Sequence, residues 1–96
     1  MQGLLPLGSI IKMKVSEAVL MIVGYYPINR EKKHVYKYMA VAFPYGVTDT
    51  GNVMFLDESD IEKVIRRGYE NTESTEFLNR LSRIMDREQS LEEFIR

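Results

Sequence analysis

The spacing of apolar side chains changes near the middle of the chain. Up to about residue 56 they alternate with polar positions or run in short blocks, and beyond about residue 59 they recur every three or four positions. The first pattern belongs to strands and the second to helices. Gly8 to Lys14 predicts a strand, with Ile11 and Met13 on one face and Ile10 and two lysines on the other. Ala18 to Gly24 predicts a second strand, apolar on both faces, which suits a central or barrel position rather than an edge.

Tyr25 to Lys33 reads as a loop, because Pro27 cannot donate to a ladder and residues 29–33 are polar and charged. Val35 to Phe43 predicts a third strand, in which Ala40 and Ala42 suggest close approach by another element. Pro44-Tyr45-Gly46 ends it. Asp49, Gly51 and Asn52 supply turn chemistry, and Val53 to Leu56 predicts a short fourth strand.

In the second half, Ser59 and Glu62 fit a capping box, and Ile61, Val64 and Ile65 form an i, i+3, i+4 stripe. Gly68 stands where a glycine would close that short helix. From Thr75 onward Phe77, Leu78, Leu81, Ile84 and Met85 mark the face of a longer helix. Leu91, Phe94 and Ile95 continue the stripe past Glu88, either in the same helix or in a second one started by Ser90 and Glu93. The expected architecture is α+β in a single domain, 1–96. It comprises a small curved antiparallel sheet of about four strands, SH3-like, over residues 8–56, with a short and a longer helix over residues 59–96. A helix of about 20 residues is ~30 Å long, more than four short strands can cover. The segment after Glu88 therefore reads equally as sheet packing or as a docking face.

Composition narrows the function. A chain of 96 residues with 45% apolar content is one globular domain, too apolar to be disordered. With no cysteine there is no disulfide framework and no thiolate chemistry, which fits a reducing compartment. Met1 to Leu7 lacks a basic n-region and is broken by Gly3 and Pro6, so it does not read as a secretory leader. The longest uncharged run, Ala18 to Asn29, falls short of the ~20 residues that span a bilayer. The expectation is a cytoplasmic protein without membrane contact. Residues 1–56 carry six Lys/Arg against three Asp/Glu, and residues 57–96 carry seven against eleven. Neither half has the basic density of a nucleic-acid footprint.

No catalytic constellation emerges. His34 is the only imidazole and has no second His or Cys with which to hold a metal, so a structural or solvated role is expected and no cofactor is implied. Asp57, Glu58 and Asp60 do not match calcium-loop spacing and read as helix-start acids. Arg30, Lys32, Lys33 and Lys37 form the one basic stretch, with Glu31 inside it. Six tyrosines stand outside the long helix; most fit barrel core and rim, while Tyr25, Tyr26 and Tyr45, near loop ends, are candidates for a protein-contact patch. Leu91, Phe94 and Ile95 are candidates for docking a partner helix or a second copy of the chain.

An ordered set of segments carries a resemblance. It runs from Leu5-Pro6-Leu7-Gly8-Ser9-Ile10-Ile11 through Leu20-Met21-Ile22-Val23-Gly24-Tyr25 to Tyr38-Met39-Ala40-Val41 and Phe43-Pro44-Tyr45-Gly46. Asp60-Ile61-Glu62-Lys63-Val64-Ile65, Gly68-Tyr69-Glu70 and Phe77 complete it. Over roughly residues 4–78 the chain resembles the small bacterial family catalogued as Domain of Unknown Function 4176. The resemblance implies a short Gram-positive protein, of a kind often encoded beside type VII secretion components and their LXG-type toxin substrates. It also implies an accessory or adaptor role and supplies no catalytic residues. Ala42 stands where a proline is more usual and Tyr45 where an acid is common, so partner choice through that loop is expected to differ.

The function expected is a non-enzymatic interaction module that engages a helical secretion substrate or chaperone. Two other readings are a small-barrel nucleic-acid binder using Tyr36, Tyr38 and the Arg30–Lys37 stretch, and a toxin-neutralising immunity protein.

Overall fold

The computed structural model describes residues 3–87. Five strands form one antiparallel sheet: β1 (Ile10–Met13), β2 (Val19–Tyr25), β5 (Tyr38–Ala42), β6 (Val53–Leu56) and β7 (Ile61–Arg66), in the order β6-β5-β2-β1-β7. The β2–β5 connection carries a small hairpin of β3 (Ile28–Asn29) and β4 (His34–Val35). Among the described residues one α-helix, α1 (Thr72–Arg87), follows the sheet. The class is α+β, as the change of period implies, with more strands than the expected four.

The core lies on one face of the sheet. Ile11, Leu20, Ile22, Ala40, Leu56 and Tyr38 are buried there, and Leu4 and Leu5 cover them from the N-terminal arm. Leu78 of α1 joins this cluster and Leu81 packs against it. Phe77 and Ile84, expected on the same inward face, stand about half exposed. Ala40 is fully buried between β2 and β6 in the close approach its small side chain permits.

The short helix expected over residues 59–67 is a strand. Ile61 pairs with Met13, Lys63 with Lys12, Val64 with Ile11 and Arg66 with Ile10. Two register shifts therefore leave Glu62 and Ile65 as extra residues. Each shift moves the apolar positions by one, converting a period of two into the i, i+3, i+4 spacing that mimics a helix. The β-branched Ile61, Val64 and Ile65 favour the strand. The turn ahead of it is a short 3-10 segment, Glu58–Asp60, in which the Asp57 N–H donates to the Asp60 carboxylate at 2.9 Å. The reciprocal cap thus sits two residues before the expected Ser59–Glu62 box.

Helix α1 begins three residues before the expected Thr75. Asn71 and Ser74 cap it reciprocally: the Ser74 N–H donates to Asn71 Oδ1 at 2.8 Å and the Asn71 N–H to Ser74 Oγ at 2.9 Å. The third strand is also shorter than expected, because Val35 belongs to the hairpin and only residues 38–42 pair with β2. Leu91, Phe94 and Ile95, and the choice between one C-terminal helix and two, lie outside the described residues.

Candidate functional site

The tyrosines divide by their place in the sheet. Tyr25 and Tyr38 are register partners, with ring centroids 6.0 Å apart. Both hydroxyls turn to the N-terminal arm: the Leu5 N–H donates to the Tyr38 hydroxyl at 3.0 Å, and the Tyr25 hydroxyl donates to the Leu5 carbonyl at 2.5 Å. Burial, reinforced by the neighbouring Tyr38, pushes the Tyr25 phenol up to about 12. Tyr38 is raised by burial as well, an effect offset by its hydrogen bond to Leu5. Tyr26, at positive φ, packs against the core, and burial raises it too.

Tyr45 lies elsewhere. Leu20 pairs with Ala42 at one end of the β2–β5 ladder and Tyr25 with Tyr38 at the other. Five residues of strand, ~17 Å, separate the two ends. The turn that carries Tyr45, 75% exposed, thus projects from the end opposite Tyr25 and Tyr26. The structure does not bring the three into one patch. Tyr45 is instead flanked by exposed Phe43 and Val47.

A second feature collects residues the sequence did not group. A groove of about 660 Å³ runs between the N-terminal arm and the first turns of α1. Pro6, Tyr25 and Leu78 line it together with Leu7, Tyr69 and Phe77, which are 55%, 80% and 49% exposed. Glu73, Glu76 and Arg80 supply its charged lining. Tyr69 reads in sequence as part of a polar linker and Leu7 as a residue ahead of the first strand. Only the hydrophobicity of each, without a strand or helix to absorb it, hinted at a shared surface.

The groove depends on a staple behind it. Ser9 is fully buried; its hydroxyl donates to the Pro6 carbonyl at 2.7 Å and accepts the Gly68 N–H at 3.0 Å. This fastens the arm, β1 and the segment after β7 to one another. Gly68 does not close a helix. It runs so close to the arm that a Cβ there would sit 2.0 Å from the Leu7 carbonyl oxygen.

The polar candidates are engaged structurally. His34 Nε2 lies 2.9 Å from Asp57 Oδ2, and its ring meets Tyr36 edge-on with centroids 4.4 Å apart. This ties the hairpin to the end of β6. Lys37 pairs with Glu58, and Lys12 pairs with Glu62 at 3.0 Å, a hydrogen bond that raises the Lys12 pKa. The Tyr38 ring, 1% exposed, offers no face on which a base could stack. Arg30, Lys32 and Lys33 remain exposed in the hairpin turn. Among the described residues no group of three His, Cys, Asp or Glu side chains is placed to hold a metal ion, and no helix is long and apolar enough to cross a membrane.

A family model described as Domain of unknown function (DUF4176) matches residues 4–77, from the arm through β7 to the start of α1. No curated protein and no solved structure matches the chain.

Proposed function

The chain belongs to the DUF4176 family, and on that footing we propose that it is a non-enzymatic protein-interaction module, a cytoplasmic accessory or adaptor of type VII secretion and its toxin substrates. The observation that carries the reading is the groove, in which Leu7, Tyr69 and Phe77 offer apolar surface to solvent beside a mostly acidic rim of Glu73, Glu76 and Arg80. A groove of this kind suits the apolar face of an amphipathic helix. The occupant it favours is a helical secretion substrate or chaperone with basic residues beside its apolar stripe. His34 is not among the groove-lining residues, so the single imidazole gives the groove no general base. The strand order, with a 3-10 turn between β6 and β7, supports an SH3-like form of the sheet.

Co-expression with the products of the adjacent genes, followed by size-exclusion chromatography with light scattering, tests the proposal. Co-elution in fixed stoichiometry is the expected result. Elution of the chain by itself in every pairing overturns it.

A further inference from the structure

The two edges of the sheet differ. β7 carries the devices that keep an edge from pairing: Lys63 at its centre, Arg66 near its end, and two register shifts that disturb its ladder. β6 carries none. Its sequence is Val53-Met54-Phe55-Leu56, without charge, proline or bulge, and it pairs with β5 in unbroken register.

The ladder fixes which backbone groups of β6 face outward. The Phe43 N–H donates to the Val19 carbonyl, and the Ile22 N–H donates to the Ser9 carbonyl, both at 2.9 Å. In an antiparallel ladder, hydrogen-bonded and non-bonded pairs alternate. Ile22 and Leu20 therefore turn their polar groups to β1, and Met21 turns to Val41. Ala40 then turns to Met54 across the next ladder, which leaves the N–H and C=O of Val53 and Phe55 pointing away from the sheet. Among the described residues neither has a backbone hydrogen bond on that side. Phe55, 37% exposed, also offers ring surface beside the open edge.

We propose that β6 pairs antiparallel with β6 of a second copy of this chain, joining two five-stranded sheets through Val53 and Phe55. The self-register about Met54 sets Val53 of each copy opposite Phe55 of the other. That arrangement satisfies all four outward N–H and C=O groups of each strand, with four hydrogen bonds between the copies. It brings an aromatic residue against a β-branched one twice, a favourable cross-strand pairing. It also sets no charge against a like charge, because Asp57 falls opposite Gly51 and Glu58 opposite Thr50. The contact is small, below the ~1,200 Å² of a standard interface, so the association is of the weak, concentration-dependent class. This inference does not use the groove and stands independently of the adaptor reading.

Residue-resolved amide exchange and sedimentation, on the full chain across a concentration series, test it. The expected result is a rise in mass toward the dimer with a gain of ~10-fold or more in protection at Val53 and Phe55, while Met54, already bonded to Ala40, changes little. Phe55→Lys, which adds the charge that guards β7, is expected to hold the chain monomeric. A monomer at every concentration with constant exchange at Val53 and Phe55 overturns the proposal, whatever else the chain binds. A dimer that persists undiminished in a folded Phe55→Lys variant also overturns it. The wild-type exchange data decide the matter if that variant does not fold.

Discussion

Tyr38 accepts the Leu5 N–H at 3.0 Å from a position 33 residues further along the chain. Its register partner Tyr25 takes the carbonyl of the same residue. One residue of the arm is thereby held at both its backbone polar groups by side chains, where a strand would have used backbone. Tyr38→Phe keeps the ring and deletes the acceptor, leaving a buried N–H without its partner. The expected loss is about 1–3 kcal/mol of stability, with Tyr25→Phe costing less because that site is half open. Urea denaturation measures both, and an unchanged midpoint for Tyr38→Phe would mean the arm is not held by this bond.

The same tyrosines make stability depend on alkaline pH. In the unfolded chain a tyrosine loses its proton near 10, whereas folded Tyr25 holds it up to about 12. Between those values the folded state binds more protons than the unfolded one, so stability falls as pH rises. The contribution is complete below about pH 10 and is lost as pH passes through the folded value. Tyr26 and Tyr38 are shifted in the same direction. Melting temperatures are expected to drop above about pH 10, with a shallower slope in Tyr25→Phe than in wild type. Parallel slopes would remove Tyr25 from the account.

The Ser9 staple predicts a sharp contrast between glycines. Gly68→Ala would drive a Cβ into the Leu7 carbonyl, and the obstacle is backbone rather than a flexible side chain. The expected cost is about 1–3 kcal/mol. Gly3→Ala meets nothing within 4 Å and should leave the melt unchanged. Ser9→Ala strands the Gly68 N–H and is expected to cost about as much as the Tyr38 change, ~1–3 kcal/mol. Thermal unfolding of the three variants side by side checks the ordering. Equal melts for Gly68→Ala and Gly3→Ala would show that the arm does not run against Gly68.

What could be read from the sequence follows the range of the interactions involved. Val53 to Leu56 emerges as expected because its alternation and its flanking turn are local. The two-faced apolar run of residues 18–24 likewise lands at the centre of the sheet, as β2 (Val19–Tyr25). The short helix expected over residues 59–67 gives way to β7 because the two register shifts are a property of its pairing with β1, which no local pattern displays. Tyr25 and Tyr26 read as candidates for a protein-contact patch, and the arm's bond to Tyr25 has no local signal because Leu5 lies 20 residues upstream. The groove needs Leu7, Tyr69 and Phe77 to meet from three separate segments, a meeting that no local pattern displays. The family resemblance was legible because it rests on ordered motifs rather than on contacts, and the match over residues 4–77 bears it out.

Leu7 and Phe77 also give the adaptor proposal its most direct test. Both are about half exposed in the groove, so Leu7→Glu and Phe77→Glu remove apolar contact surface without opening the core. Their effect on the melt should stay within about 0.5 kcal/mol, the usual range for surface changes. Their effect on a complex should be far larger, since apolar anchors at the centre of an interface carry ~2 kcal/mol or more each, about 30-fold in affinity. Tyr45→Ala, at the far end of the sheet, serves as the control. Titration of a co-eluting partner against the three variants should show loss for Leu7→Glu and Phe77→Glu and wild-type affinity for Tyr45→Ala. The reverse pattern would move the interface to the exposed turn of Phe43, Tyr45 and Val47.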